Sequence, residues 1–235
     1  MKTTATTLLA LFCAVSFAHG EPEPTTGSAR RLAPSEQVFD FGHVGIDFKL
    51  FHTFHIVNHG DAPVTIKSAT ASCDCSQVSL LDSLLEPGDT AFFHLDFLTR
   101  NFYGPTTKSL LVTLDDHEYP EMKFYYLSTI GQWFADLKPE PFSLFFLPGA
   151  TGKPVKLSNR VFDQISWEIR DQGDSSFRIE NIGPRANRGE DLTVMVTPSD
   201  GLKAGTYLSS FTVHVTTAED QKPVILTIPV KIVKY

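Results

Sequence analysis

From residue 37 onward the chain alternates apolar and polar positions in short runs separated by turn formers. Phe39, Phe41 and Val44 open a first strand region. Residues 51–57 form a second, with Phe54 and Ile56 on one face and Thr53, His55 and Val57 on the other. Asn58-His59-Gly60-Asp61-Ala62-Pro63 is a run of turn residues. A strand resumes at Val64 and runs towards Cys73. Pro87-Gly88-Asp89 turns into the alternating residues 91–97, Gly104-Pro105 turns into residues 109–114, and residues 122–130 close the set. Residues 76–85 are the one stretch compatible with a helical turn. No window sustains a 3.6-residue apolar period with caps.

The second half repeats the plan. Residues 142–146 answer Phe39 to Phe41, and Pro148-Gly149 is followed by strands at 155–157, 165–169, 177–182 and 192–196. Gly205 opens a strand to Val215 as Gly104 opens one to Leu114, 101 residues earlier. That offset is the length of one small sandwich domain. The pattern predicts an all-β protein of two tandem immunoglobulin-like β-sandwich domains, at residues 37–131 and 132–235. A signal peptide (1–20) and a short flexible linker (21–36) precede them.

The leader has Lys2, an apolar run over residues 8–17 and small residues before position 21. That run is too short for a membrane span, which needs roughly twenty residues, and fits a cleaved export signal. Leu11-Phe12 before Cys13 lacks the small residues of a lipoprotein signal. The expected location is periplasmic or extracellular, where cysteines are oxidised. Residues 21–36 are rich in Pro, Ser and Thr, so regular structure is expected from Gln37. The net charge is −7, and beyond the leader the only adjacent basic pair is Arg30-Arg31, which argues against a nucleic-acid partner. With 42% hydrophobic residues and nineteen Phe the chain can build substantial β cores.

Catalytic signatures are missing: there is no Gly-x-Ser-x-Gly, His-Glu-x-x-His, Walker loop or dinucleotide fingerprint. A spatially assembled hydrolase triad is the weakest reading. Cys73-Asp74-Cys75 is the most specific local feature. In an extended segment both side chains share a face, with Cα atoms ~6.6 Å apart, near the upper edge for a disulfide. Two thiolates on one face would also suit Cu(I) with imidazole help, or a redox role. The favoured reading is structural, a local disulfide or a packed pair, with Cys73 and Cys75 as candidate metal ligands in the alternative. His43, His52, His55, His59, His94 and His117 fall in the first half and His214 in the second. His52 shares the face of Phe54 while His55 takes the opposite one, so the two cannot chelate from one strand. Most of the histidines read as strand-surface or turn residues.

Phe39-x-Phe41-Gly42, Phe54-x-x-x-Asn58-x-Gly60-Asp61-Ala62-Pro63, Cys73-x-Cys75 and Pro87-Gly88 form an ordered series. Over about residues 37–114 it resembles an exported bacterial family of unknown function whose hallmark is Cys-Gly-Cys. That family is similar to the ASH, Hydin and major-sperm-protein group of immunoglobulin-like modules. The resemblance implies a seven-stranded sandwich without catalytic activity, used for protein–protein contact. Asp74 stands where the family has Gly, and a positive φ there would suit Gly better than Asp. The resulting expectation is an exported, non-enzymatic interaction or cell-envelope module without cofactor. Its partner is an unidentified protein or envelope component. The alternative is a periplasmic copper-binding or thiol-redox protein using Cys73 and Cys75.

Overall fold

The computed structural model describes residues 31–134, 136–218 and 222–235. The expected leader and residues 21–30 of the expected linker lie outside the described residues. Nine strands come first: β1 (Leu32–Pro34), β2 (Val38–Val44), β3 (Lys49–Asn58), β4 (Val64–Ala71), β5 (Ser76–Leu80), β6 (Leu84–Leu85), β7 (Thr90–Leu98), β8 (Gly104–Leu114) and β9 (Glu121–Ile130). Nine more follow: β10 (Pro139–Glu140), β11 (Leu144–Phe146), β12 (Lys153–Ser158), β13 (Gln164–Gln172), β14 (Phe177–Ile182), β15 (Arg185–Asn187), β16 (Asp191–Pro198), β17 (Gly205–Thr217) and β18 (Val224–Lys234). Among the described residues no helix is long and apolar enough to cross a membrane.

The alternation in the sequence is the alternation in burial. Along β3 and β7 every second side chain is inside, which places Phe54, Ile56, Phe93, Leu95 and Phe97 in one core. Phe54 and Phe93 pack on Phe124 of β9 with ring centroids 5.0 and 6.1 Å away. Each such ring, fully buried, contributes ~1.5–3 kcal/mol over an exposed one. A second core gathers residues between Leu137 and Ile232. β1-β3-β7-β5 and β10-β12-β16-β14 form two four-stranded sheets. The remaining strands join in one long sheet, β15-β13-β17-β18-β2-β9-β8-β4-β6, with β11 parallel to β18. The all-β sandwich expected from the sequence is what forms, with each half carrying nine strands rather than seven because short edge pieces such as β1 and β6 add to the plan.

The halves repeat at the level of single hydrogen bonds. Asn58 is fully buried and its Nδ2 donates to the carbonyls of Ala62 (3.0 Å) and Leu85 (3.1 Å). Asn159, 101 residues on, is equally buried and donates to Phe162 (2.9 Å) and Ala186 (3.2 Å). The amides of Gly88 and Gly189 donate to the carbonyls of these two asparagines at 2.8 and 2.7 Å. A buried amide that ties a strand end to two loops satisfies backbone groups that water cannot reach.

Two sequence expectations change. Residues 32–34 are not linker. Leu32 is fully buried, β1 pairs with the end of β3, and Arg31 reaches Asp116 at 3.2 Å. Three residues are too few to show a period, so their burial is decided by β3 and not by their own pattern. Residues 76–85 form no helical turn, because β7 offers a free ladder edge that β5 takes, from Ser76↔Phe97 to Leu80↔Phe93.

The long sheet is continuous because β18, the last strand, lies beside β2, the second, with Leu226 paired to His43. At this seam Gly42 has φ +63° and a Cβ there would meet the carbonyl oxygen of Ile225 at 2.0 Å. Gly42 therefore permits both the bulge in β2 and the approach of β18. Thr227 Oγ1 donates to the Phe41 carbonyl at 2.6 Å.

Candidate functional site

Cys73 and Cys75 form a disulfide, with Cα atoms 5.2 Å apart. The pair is closer than an extended segment would hold it because the chain turns between β4 and β5, closed by the Ser76 amide on the Cys73 carbonyl at 3.1 Å. Among the non-glycine residues described, positive φ occurs at Asp47 and Asn101, so Asp74 fits its position without the left-handed conformation. Both cysteines are half-buried, and Cys75 packs against the first core. Beneath them the Tyr126 hydroxyl donates to Ser76 Oγ at 2.7 Å, in a buried contact. Ser76 Oγ lies 3.7 Å from Cys73 Sγ and 3.8 Å from Cys75 Sγ. Burial pushes the Tyr126 phenol above its ordinary pKa, against the pull of its Ser76 and Ser72 contacts, so it remains a donor.

A hollow of about 120 Å³ beside Cys75 is lined by Lys49, Asp74, Gln77, Asp96 and Leu98, with no histidine. With the sulfurs bonded to each other neither offers a thiolate for Cu(I). Among the described residues no group of three or more His, Cys, Asp or Glu is arranged to hold a metal ion.

The histidines scatter as their parity on the strands requires. His43 Nδ1 lies 2.8 Å from the Gln132 carbonyl, His94 shares a hydrogen bond with Thr53, and His59 and His117 are exposed. His55 lies on the outer face near Phe92, at 5.8 Å between ring centroids. His214, half-buried, has its pKa lowered by burial and by the Arg170 charge.

His52 is different. It is buried, stacks on Phe39 at 3.7 Å, and Asp171 of β13 accepts from its Nδ1 at 2.8 Å. Glu36 lies 3.2 Å from its Nε2, near enough for charge pairing but without hydrogen-bond alignment. Burial alone would lower the His52 pKa, but the Asp171 hydrogen bond and the close carboxylates of Asp171 and Glu36 outweigh it and leave the pKa raised. Asp171 is 119 residues away in the chain, so no local motif pointed to this pair.

Next to the seam the two halves leave a cleft of about 520 Å³. Phe48, Leu98, Leu144, Phe145, Leu208 and Val230 line it, and Lys49, Arg100, Lys231 and Asp47 stand around them. Lys49 is paired with Asp96 and Arg100 with Asp47, while Lys231 lies over the Phe145 ring at 5.5 Å. Phe145 and Leu208 are 46% and 42% exposed, an unusual cost for large apolar side chains at one place.

Among solved structures, the ASH/PapD-like domain of human CEP192 shares 12% identity, with 52% of this chain and 100% of that one covered and a TM-score of 0.38. The YadV chaperone shares 9%, with 85% and 99% covered and a TM-score of 0.33. The Vibrio cholerae VesB protease shares 13%, with 44% of this chain covered and a TM-score of 0.36; the match spans about a third (32%) of that protein. No curated protein matches the chain in sequence. Residues 32–126 match the family described as "Protein of unknown function (DUF1573)", which covers the stretch whose motifs carry the sequence resemblance.

Proposed function

We propose that the protein is an exported, non-enzymatic binding module. The cleft between its halves takes an extended, apolar and acidic segment of another exported protein or envelope component. The observation that carries this reading is the cleft itself, where exposed Phe145 and Leu208 lie among the cations Lys49, Arg100 and Lys231, of which Lys49 is paired with Asp96 and Arg100 with Asp47, leaving one positive charge in excess at Lys231. In a chain of net charge −7 that local excess of positive charge favours an acidic partner. Among the described residues β11 pairs only with β18, which leaves a strand edge to which an extended segment can add. The apolar leader supports export, and no cofactor is needed for such a role.

The test uses labelled ten-residue peptides in which apolar residues alternate with Glu or, in the control set, with Lys. Fluorescence anisotropy should show the Glu set binding at least about tenfold more tightly, and Phe145→Glu should abolish the difference. Equal binding of both sets would remove the reading. Amino-terminal sequencing of the protein recovered from the producing cell should begin near Glu21, whereas an intact Met1 would refute export.

A further inference from the structure

The turn that carries the disulfide has a direct counterpart without one. Ser76 pairs with Phe97, and 101 residues on Phe177 pairs with Pro198. Tyr126 pairs with Lys108, and in the second half Val230 pairs with Ser209. The two buried hydroxyls under the disulfide thus stand where the second half has Phe177 and Val230, both buried and apolar. The second turn closes with Asp174 accepting from the amide and hydroxyl of Ser176 at 2.9 and 2.6 Å.

The hydroxyls have a direction. Tyr126 donates to Ser76, so the Ser76 proton is free to point at sulfur, within 3.7–3.8 Å of both. The disulfide itself ties together residues two apart, in a turn already held by the Ser76 and Leu98 amides on the carbonyls of Cys73 and Cys75. Such a bond closes the smallest of loops and constrains the unfolded chain least. A donor aimed at sulfur does little for a disulfide, a weak acceptor, and much more for a thiolate.

We propose that Cys73–Cys75 is a reversible redox site that exchanges with the dithiol of another protein, its thiolate form stabilised by the Tyr126–Ser76 hydroxyl relay. In the exchange a partner thiolate attacks one sulfur of the pair. The bond between Cys73 and Cys75 breaks, a mixed disulfide forms, and the released cysteine leaves as a thiolate that accepts from Ser76. The partner's second thiol, deprotonated, attacks its own sulfur in the mixed disulfide and frees the other cysteine. Two electrons pass to Cys73 and Cys75, two protons from the partner's thiols end on them, and the partner leaves as a disulfide. This is a stoichiometric exchange, independent of peptide binding in the cleft.

The test equilibrates the full chain lacking its leader with glutathione redox buffers, two glutathiones standing in for the dithiol, followed by thiol trapping and mass spectrometry. The wild-type pair should titrate fully between oxidised and reduced forms. Ser76→Ala should lower the equilibrium constant for reduction about tenfold, about 30 mV for a two-electron couple, and Tyr126→Phe should shift it less in the same direction. A pair that stays oxidised at ratios that reduce a glutaredoxin dithiol, or one indifferent to Ser76→Ala, overturns the proposal. If Ser76→Ala does not fold, the pH dependence of alkylation of the reduced wild type decides. A thiolate forming below the ordinary value of about 8.5 supports the relay, and one at or above it refutes it.

Discussion

The two halves solve the same folding problem with different chemistry at one turn. Each places a buried asparagine at the end of a strand of its four-stranded sheet, Asn58 at the end of β3 and Asn159 just after β12, whose side-chain amide holds two loops and whose backbone carbonyl receives a glycine amide. Between β4 and β5 the first half has a disulfide over two buried hydroxyls, and between β13 and β14 the second has a hydrogen-bonded aspartate over apolar side chains. A sandwich of this plan therefore forms around its asparagine and closes that turn without a disulfide. The cysteines of the first half add chemistry that the fold does not require.

The comparison can be broken in four ways, from the largest effect down. Gly42→Ala forces a side chain into the Ile225 carbonyl at positive φ, and should cost about 4 kcal/mol in urea unfolding by separating β2 from β18. A cost below about 1 kcal/mol would mean the seam holds little. Asn58→Ala and Asn159→Ala should each cost about 3 kcal/mol, since each orphans several buried backbone groups. Clearly unequal costs would show that the two locks are not equivalent.

His52 links the halves through Asp171, and its contribution depends on pH. Its folded pKa lies above the unfolded value of about 6.5, so its stabilisation is complete below that value and disappears as pH rises through the folded one. His52→Gln should therefore cost about 2 kcal/mol at pH 6 and progressively less towards pH 9. Asp171→Asn should flatten the difference, and thermal unfolding across that range measures both. Cys73→Ser/Cys75→Ser should have the smallest effect, about 1 kcal/mol, because the loop it opens is so short. A loss above about 3 kcal/mol would make the disulfide a structural staple after all.

Much of this architecture was legible in the sequence, where a period of two survives in most strands. The parity that puts His52 with Phe54 inside and His55 outside is the burial observed along β3. The 101-residue offset seen at Gly104 and Gly205 is also the spacing of Asn58 and Asn159, a signal present but not used. What remained hidden depends on partners far away in the chain. β1 is ordered by β3, β5 by β7, and the charge of His52 by Asp171, 119 residues on. The turn at the cysteines has no signal in the sequence, because Cys73-Asp74-Cys75 contains neither Gly nor Pro to announce it.

The meeting of β2 with β18 also imposes a timetable on the chain. The bond from Thr227 to Phe41 spans 186 residues, so the first half keeps an open sheet edge until β18 has been delivered. Closing so long a loop is slow compared with pairing neighbouring hairpins. A chain emerging amino-terminus first would present β2 as an unguarded edge during synthesis or translocation until β18 arrived to cover it.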